Sequence, residues 1–301
     1  MNKFNIAELD CIFISYDEPN AEKNYADLLT KAPWAKRVHG VKGSDAAHKA
    51  AAQLSDTDRF ITVDGDNIVD PTFFNLTLDE TGKQLSWCGK NVINGLVYGN
   101  GGLKCWTKEH VMNMRTHEAA EDPNSQVDFC WNSNYQQMAN LYSVSYNNSS
   151  PLQAWRAGFR EGVKMTLDNG VKQQLVNPKK QIVRRNYQRL LIWCSVGADI
   201  DNGAWAVYGA RLGCFMTNCS DWDYTQVRDF EYLNHLFEEH KEFDPVHTAR
   251  RYREHLQMKL NLSIADLDPI QSKFFKEVWN NPPRFDSMTK ELDTDWDLLD
   301  L

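Results

Sequence analysis

The chain has 301 residues, of which 42% are hydrophobic and ten are tryptophan, enough to bury the core of a globular enzyme. Its formal net charge of −8 disfavours non-specific binding of nucleic acid over the whole surface. Its seven cysteines, an odd number without a C-x-x-C pair, suggest neither a zinc site nor a full disulfide framework. With no signal peptide and no apolar run of membrane-spanning length, the sequence predicts a cytoplasmic protein outside the membrane.

The first elements alternate between strands and helices. Residues 11–16 form a nearly continuous apolar run, which predicts a buried parallel strand that ends before Pro19. Residues 20–32 carry apolar side chains at helical spacing, and residues 37–41 predict a second, weaker strand. The chain therefore begins with a strand-helix-strand unit.

A second helix and a third strand extend this unit. Ser44 or Asp45 can cap an alanine-rich helix that ends near Leu54. Residues 59–63 are apolar apart from their first and fourth members and predict a buried strand. This β-α-β-α-β order is typical of a nucleotide-binding half-sheet.

The third predicted strand leads directly into Asp64-Gly65-Asp66. Ligands of open α/β sheets bind at the carboxyl ends of the strands. Two carboxylates at this position can hold a hard divalent cation against a phosphate. The sequence contains neither G-x-G-x-x-G after the first strand nor a P-loop motif, which argues against a dinucleotide site and excludes a P-loop.

The remaining chain is expected to be less regular and then helical. The glycines at 99, 101 and 102 predict a glycine-rich turn, either of a β-hairpin or beside a ligand. From residue 172 onward the pattern is mostly helical. We therefore expect a nucleotide-binding core over 1–150, a mostly helical region over 151–280 and an acidic tail over 281–301.

Residues 43–71 carry a family resemblance. An alanine-rich helix, the D-x-D pair and a following acidic residue and proline resemble the core of GT-A glycosyltransferases. His48 departs from the pattern, because many members have arginine there. The resemblance covers about the first 110 residues well. It implies a GT-A, Rossmann-like sheet and a nucleoside-diphosphate sugar donor, for which we expect a UDP-sugar.

Three further blocks, residues 63–67, 145–164 and 203–211, resemble GT-A-like glycosyltransferases of tailed bacteriophages. Some of those enzymes glycosylate 5-hydroxymethylcytosine in phage DNA, and some transfer arabinose. This second resemblance makes 5-hydroxymethylcytosine in DNA the favoured acceptor. A bacterial surface glycan or other saccharide, a non-catalytic GT-A-like binding protein and a nucleotidyltransferase stay open as alternatives.

The family resemblance also implies a metal site. Asp66 would be the primary ligand of Mn²⁺ or Mg²⁺, and Asp64 would assist it or contact the ribose. A third ligand is usual, and His110, His117 and His247 are candidates. Gly101 and Gly102 would lie beside the transferred sugar.

Other candidates follow from their positions in the sequence. Asp17 and Glu18, at the end of the first strand, can contact the nucleobase or ribose, whereas His48 and Lys49 can approach the diphosphate. Asp128 lies in an apolar segment that would raise its pKa, which suits the general base of an inverting transfer.

Two basic segments are candidates for DNA contacts. If they share a face they can track phosphates, and the alternative is ordinary solvated helix surface. Their cations are Lys179, Lys180, Arg184, Arg185, Arg189, Arg250, Arg251 and Arg253.

Overall fold

The computed structural model describes residues 2–115 and 135–278. Within these ranges the protein is α/β, with seven strands in one mixed sheet and two short strands in a second. The strands are β1 (Lys3–Asn5), β2 (Asp10–Ser15), β3 (Lys36–His39), β4 (Arg59–Asp64), β5 (Asn67–Val69), β6 (Thr77–Asp79), β7 (Gln84–Asn91), β8 (Val97–Thr107) and β9 (Tyr135–Ser145). The helices are α1 (Ala21–Lys31), α2 (Ser44–Leu54), α3 (Lys108–Asn113), α4 (Pro151–Lys164), α5 (Pro178–Gln181), α6 (Arg184–Trp193), α7 (Gly203–Cys219), α8 (Phe230–His240), α9 (Pro245–Leu260) and α10 (Pro269–Val278).

The large sheet has the strand order β3-β2-β4-β8-β7-β9-β5. Strand β2 is parallel to both β3 and β4, whereas β8 is antiparallel to its neighbours β4 and β7. Ile14 of β2 is in register with Asp64 of β4, so the two strands end side by side. The residues that follow them therefore share one edge of the sheet, where α/β proteins place ligands.

The sheet is covered on both faces because side chains alternate along each strand. On β4, Ile61 and Val63 pack in the same cluster as Leu28 of α1. Phe60 points the other way and packs with Ala51 of α2. Strand β4 is thus buried on both faces, as its apolar sequence predicts.

Past β9, every element in the described part of the chain is helical. Helices α4 and α7 touch backbone to backbone: a Cβ added to Gly158 would lie 1.9 Å from the carbonyl oxygen of Ala206. A Cβ added to Gly213 would lie 2.3 Å from the carbonyl oxygen of Phe159. Glycine at these positions permits the contact, which fixes the direction of the polar face of α4.

The structure confirms the first helix and third strand, but it corrects two details. Neither Ser44 nor Asp45 is the N-cap residue of α2: that position is taken by Gly43, with φ of 93°, which has no side chain to form a cap. The glycines from 99 to 102 are not a turn, since they lie within β8. The hairpin instead turns between Asn91 and Leu96, whose backbones are hydrogen-bonded.

Three further expectations concern the chain as a whole. The predicted acidic tail over 281–301 lies outside the described residues. All six cysteines in the described ranges are free thiols. No helix in the part of the chain that the structure describes is long and apolar enough to cross a membrane.

Candidate functional site

A cavity of about 1220 Å³ opens at the carboxyl ends of β2 and β4. One wall is formed by strand ends and the other by α4, α6 and residues 225–234. The sequence-predicted site residues that line it are Asp17, Glu18, His48, Asp64, Asp66, Gly101, Gly102 and Arg189.

The two aspartates are held by the turn that leaves β4. Asp64 is the last residue of the strand, and Asp66 lies in the turn before β5. The Asn67 side chain donates to Asp66 Oδ1 at 2.6 Å, and the backbone N–H of Tyr146 donates to the Asp66 carbonyl at 2.7 Å. Because Ser145 Oγ in turn donates to Asn67 Oδ1 at 3.1 Å, β9 fixes the amide that orients Asp66.

Two glycines make room for the carboxylates. A Cβ on Gly65 would lie 2.8 Å from Glu18 Oε2, so the bare backbone of the turn lets Glu18 approach the aspartates. A Cβ on Gly102 would lie 2.5 Å from the Cβ of Asp64. Gly102 therefore lies directly against the first aspartate, across the β4–β8 pairing.

The three carboxylates repel one another in a partly desolvated position. Burial, together with the charges of Asp64 and Glu18, raises the pKa of Asp66 from 3.8 to about 7. Burial also raises the pKa of Glu18, with smaller contributions from Asp17 and Asp64. A cation bound at this edge of the sheet would relieve that repulsion.

Lys104 of β8 supplies one positive charge from inside the protein. It is only 1% exposed, and its Nζ lies 3.8 Å from Asp64 Oδ2. Sequence reasoning missed this residue. The available signal was a lysine within the otherwise apolar stretch 103–106, where a charge is costly unless it is compensated.

The donor set fits a hard cation only in part. Asp64 and Asp66 offer the oxygen ligands that Mn²⁺ or Mg²⁺ prefers. In residues 2–115 and 135–278, however, no group of three or more His, Cys, Asp or Glu side chains could hold a metal ion. An ion at the aspartate pair would take its other ligands from water or from a bound phosphate, as Mg²⁺ commonly does.

The histidine candidates do not complete this set. His247 is exposed in the first turn of α9 and does not line the cavity, so the expectation that it is a third ligand is corrected. His110 stacks on Trp106, with ring centroids 5.8 Å apart, and it does not line the cavity either. His117 and the candidate base Asp128 lie outside the described residues.

The two candidates on α2 differ in position. His48 is buried, its Nδ1 lies 2.8 Å from the carbonyl oxygen of Ser44, and burial lowers its pKa. Burial therefore disfavours the charged form of His48. Lys49 does not line the cavity and pairs with Asp45 at 2.7 Å, which corrects its assignment to the diphosphate.

The helical wall carries positive charge that was not assigned from the sequence. Arg156 of α4 donates to Asn234 Oδ1 at 3.0 Å and to Asp17 Oδ1 at 3.4 Å, so it joins the two walls. One turn further along α4, Arg160 also lines the cavity. A polar helix face of this kind looks like solvated surface until its neighbours are known.

A hydrogen-bonded group closes the inner end of this wall. Tyr98 donates its hydroxyl hydrogen to Glu161 and accepts a hydrogen bond from Trp193 Nε1 at 2.7 Å. Lys164 Nζ lies 2.5 Å from the other oxygen of Glu161. Glu161 is therefore held by two donors. These contacts connect α4, α6 and β8 and fix their positions relative to one another.

Most of the predicted DNA contacts lie away from the cavity. Arg250 and Arg253 of α9 pair with Asp266, at 3.4 Å and 2.6 Å, so this carboxylate already compensates part of their charge. Arg189 alone among the eight predicted cations lines the cavity. Those that do not are Lys179, Lys180, Arg184, Arg185, Arg250, Arg251 and Arg253.

No family model matches the chain, and a search of curated proteins found no significant match.

Proposed function

We propose that the protein is a metal-dependent glycosyltransferase of the GT-A type that uses a UDP-sugar donor. One observation carries the proposal. Asp64, Asp66 and Glu18 line one cavity of about 1220 Å³ at the place where two parallel strands end. Small-molecule sites commonly occupy about 300–1,000 Å³, so this cavity has room for a donor and part of an acceptor.

Each residue of the strand wall has a role in this proposal. Asp66 and Asp64 would hold the divalent cation, and Asp17 and Glu18 would contact the nucleoside. Bound Mn²⁺ or Mg²⁺ supplies stabilisation of the negative charge that develops on the leaving diphosphate. Lys104 compensates the charge of Asp64 from within the protein and keeps that side chain at the edge of the cavity.

The favoured acceptor is 5-hydroxymethylcytosine in DNA, and its support is the resemblance of three sequence blocks to phage enzymes. The arginines of the helical wall agree with a polyanionic acceptor. A saccharide acceptor is the alternative. A non-catalytic binding protein is disfavoured, because it would not need an intact aspartate pair whose charges repel each other in a partly buried position.

The test is release of UDP from a panel of UDP-sugars with Mn²⁺, with and without hydroxymethylcytosine DNA. We expect DNA-stimulated release in the wild type and its loss in Asp66→Ala. Release that is indifferent to DNA would support the transferase and redirect the search to saccharide acceptors. No turnover and no donor binding would refute the enzyme.

A further inference from the structure

Two arginines of the helical wall, Arg160 and Arg189, differ from three other cations around the cavity. Lys42, Lys104 and Arg156 each lie within 4 Å of a carboxylate, at 2.6, 3.8 and 3.4 Å. Arg160 of α4 and Arg189 of α6 have no carboxylate within that distance among the described residues. In both side chains the Nε–H group is buried and makes no hydrogen bond within the described chain.

An aromatic ring packs against each of the two guanidinium groups. Arg160 lies 4.7 Å from the ring centroid of Phe230, and Arg189 lies 4.4 Å from that of Tyr98. Tyr98 is itself held by Glu161. Arg189 Nη1 also donates to Asn186 Oδ1 at 3.2 Å. Packing on a ring leaves the remaining N–H groups of a guanidinium group available for acceptors, and two such groups match two oxygens of a phosphate.

We propose that Arg160 and Arg189 form a subsite for the phosphodiester of an acceptor nucleotide that enters the cavity. This inference rests on the proposed function and names the acceptor class for the same site. In the proposed function the donor diphosphate would be held at the strand wall, where Asp64 and Asp66 would bind the ion. Arg160 and Arg189 belong instead to α4 and α6 of the opposite wall.

The surroundings favour a nucleotide over an isolated phosphate. Phe230 lines the cavity, and Arg156 and Arg160 each lie 4.7 Å from its ring centroid. The residue nevertheless remains 38% exposed, so part of it is open to contact with a base. The net charge of −8 opposes binding of nucleic acid over the general surface. Both the aromatic contact and the net charge are consistent with a nucleotide that is flipped out of the DNA duplex into a local arginine site.

The experiment compares two ligands for binding to the full chain with UDP and Mn²⁺ present. One is a hydroxymethylcytosine dinucleotide with its natural phosphodiester, and the other has a neutral methylphosphonate in its place. The wild type should bind the charged ligand at least about tenfold more tightly, the effect expected for hydrogen bonds to a charged group. In Arg160→Gln and in Arg189→Gln this preference should fall below about threefold, since each variant loses one of the two guanidinium groups that bind the phosphate.

Four controls make the result specific. Lys23→Gln removes one positive charge from the exposed face of α1 and should keep the full preference. Arg160→Lys keeps the positive charge but loses the paired N–H groups of the guanidinium, so its preference for the charged ligand should be intermediate. Circular dichroism confirms that each variant is folded, and the affinity for UDP with Mn²⁺ should change by less than about twofold, because the donor is held by the other wall.

Two outcomes would overturn the inference. Equal binding of the charged and neutral ligands by the wild type would show that no phosphate is recognised. A loss of UDP affinity in Arg160→Gln as large as the loss of acceptor affinity would assign the arginines to the donor. Failure of the proposed function would look different, since the wild type would then not bind UDP with Mn²⁺ and Asp66→Asn would make no difference.

Discussion

Replacement of Asp66 by asparagine should stabilise the metal-free protein at alkaline pH. The folded-state pKa of Asp66 is about 7, against 3.8 in the unfolded chain. Between these pH values the native state keeps a proton that the unfolded state has released, so stability falls as the pH rises through this window. Asparagine cannot ionise, and it retains the oxygen to which Asn67 donates.

The magnitude follows from the change in pKa. A rise from 3.8 to about 7 corresponds to roughly 4 kcal/mol, at about 1.4 kcal/mol for each pH unit. Because the side chain is half-buried rather than fully enclosed, solvent screening brings the expected gain to about 2 kcal/mol. The gain should be near zero at pH 4 and reach its full value at pH 8.

Urea unfolding in EDTA, followed at several pH values, measures this gain. Asp70→Asn is the matched control, because it removes the same charge from a nearby aspartate whose pKa is lowered by hydrogen bonds from Thr72. That control should not gain stability at pH 8. A lower unfolding free energy for Asp66→Asn than for the wild type at pH 8 would refute the reasoning, since it would mean that the ionised carboxylate is stabilised in the fold.

Two further predictions concern the framework of the site, and both are measured by urea unfolding. A Cβ on Gly101 would lie 2.1 Å from the backbone nitrogen of Gly89, so Gly101→Ala should cost at least about 3 kcal/mol. Gly99 has a φ of 71°, and a Cβ added to it would have no atom within 4 Å, so Gly99→Ala should cost only about 1 kcal/mol. Equal losses of unfolding free energy in the two variants would contradict the packing argument. Arg211 is 1% exposed and bonds three carbonyl oxygens and Asp266, so Arg211→Ala should cost about 3–5 kcal/mol; a loss below about 1 kcal/mol would show that these bonds matter little.

The strand wall of the site could be predicted from the sequence because its signals are local. The apolar run of β4 leads directly into Asp64, and the paired aspartates follow without a gap. The start of α2 was assigned less well. Its first turn contains Ser44 and Asp45, which are common caps, but the N-cap position is taken by Gly43, whose φ of 93° favours glycine.

The helical wall could not be predicted, because its position depends on contacts between helices that are distant in the sequence. Arg160 lies on a polar helix face, and only the contact of α4 with α7 turns that face toward the cavity. Arg189 was noticed as part of a basic segment, but its neighbours Arg184 and Arg185 were given the same role. Periodicity identifies a polar face without revealing whether that face meets solvent or a cavity.

Calorimetric titration of UDP in the presence of Mn²⁺ tests the central claim most directly. At pH 8, where Asp66 is ionised, the wild type should bind UDP only when Mn²⁺ is present, and Asp66→Asn should lose this binding. Tight binding of UDP without metal, or undiminished binding by Asp66→Asn, would contradict the assignment of the aspartate pair.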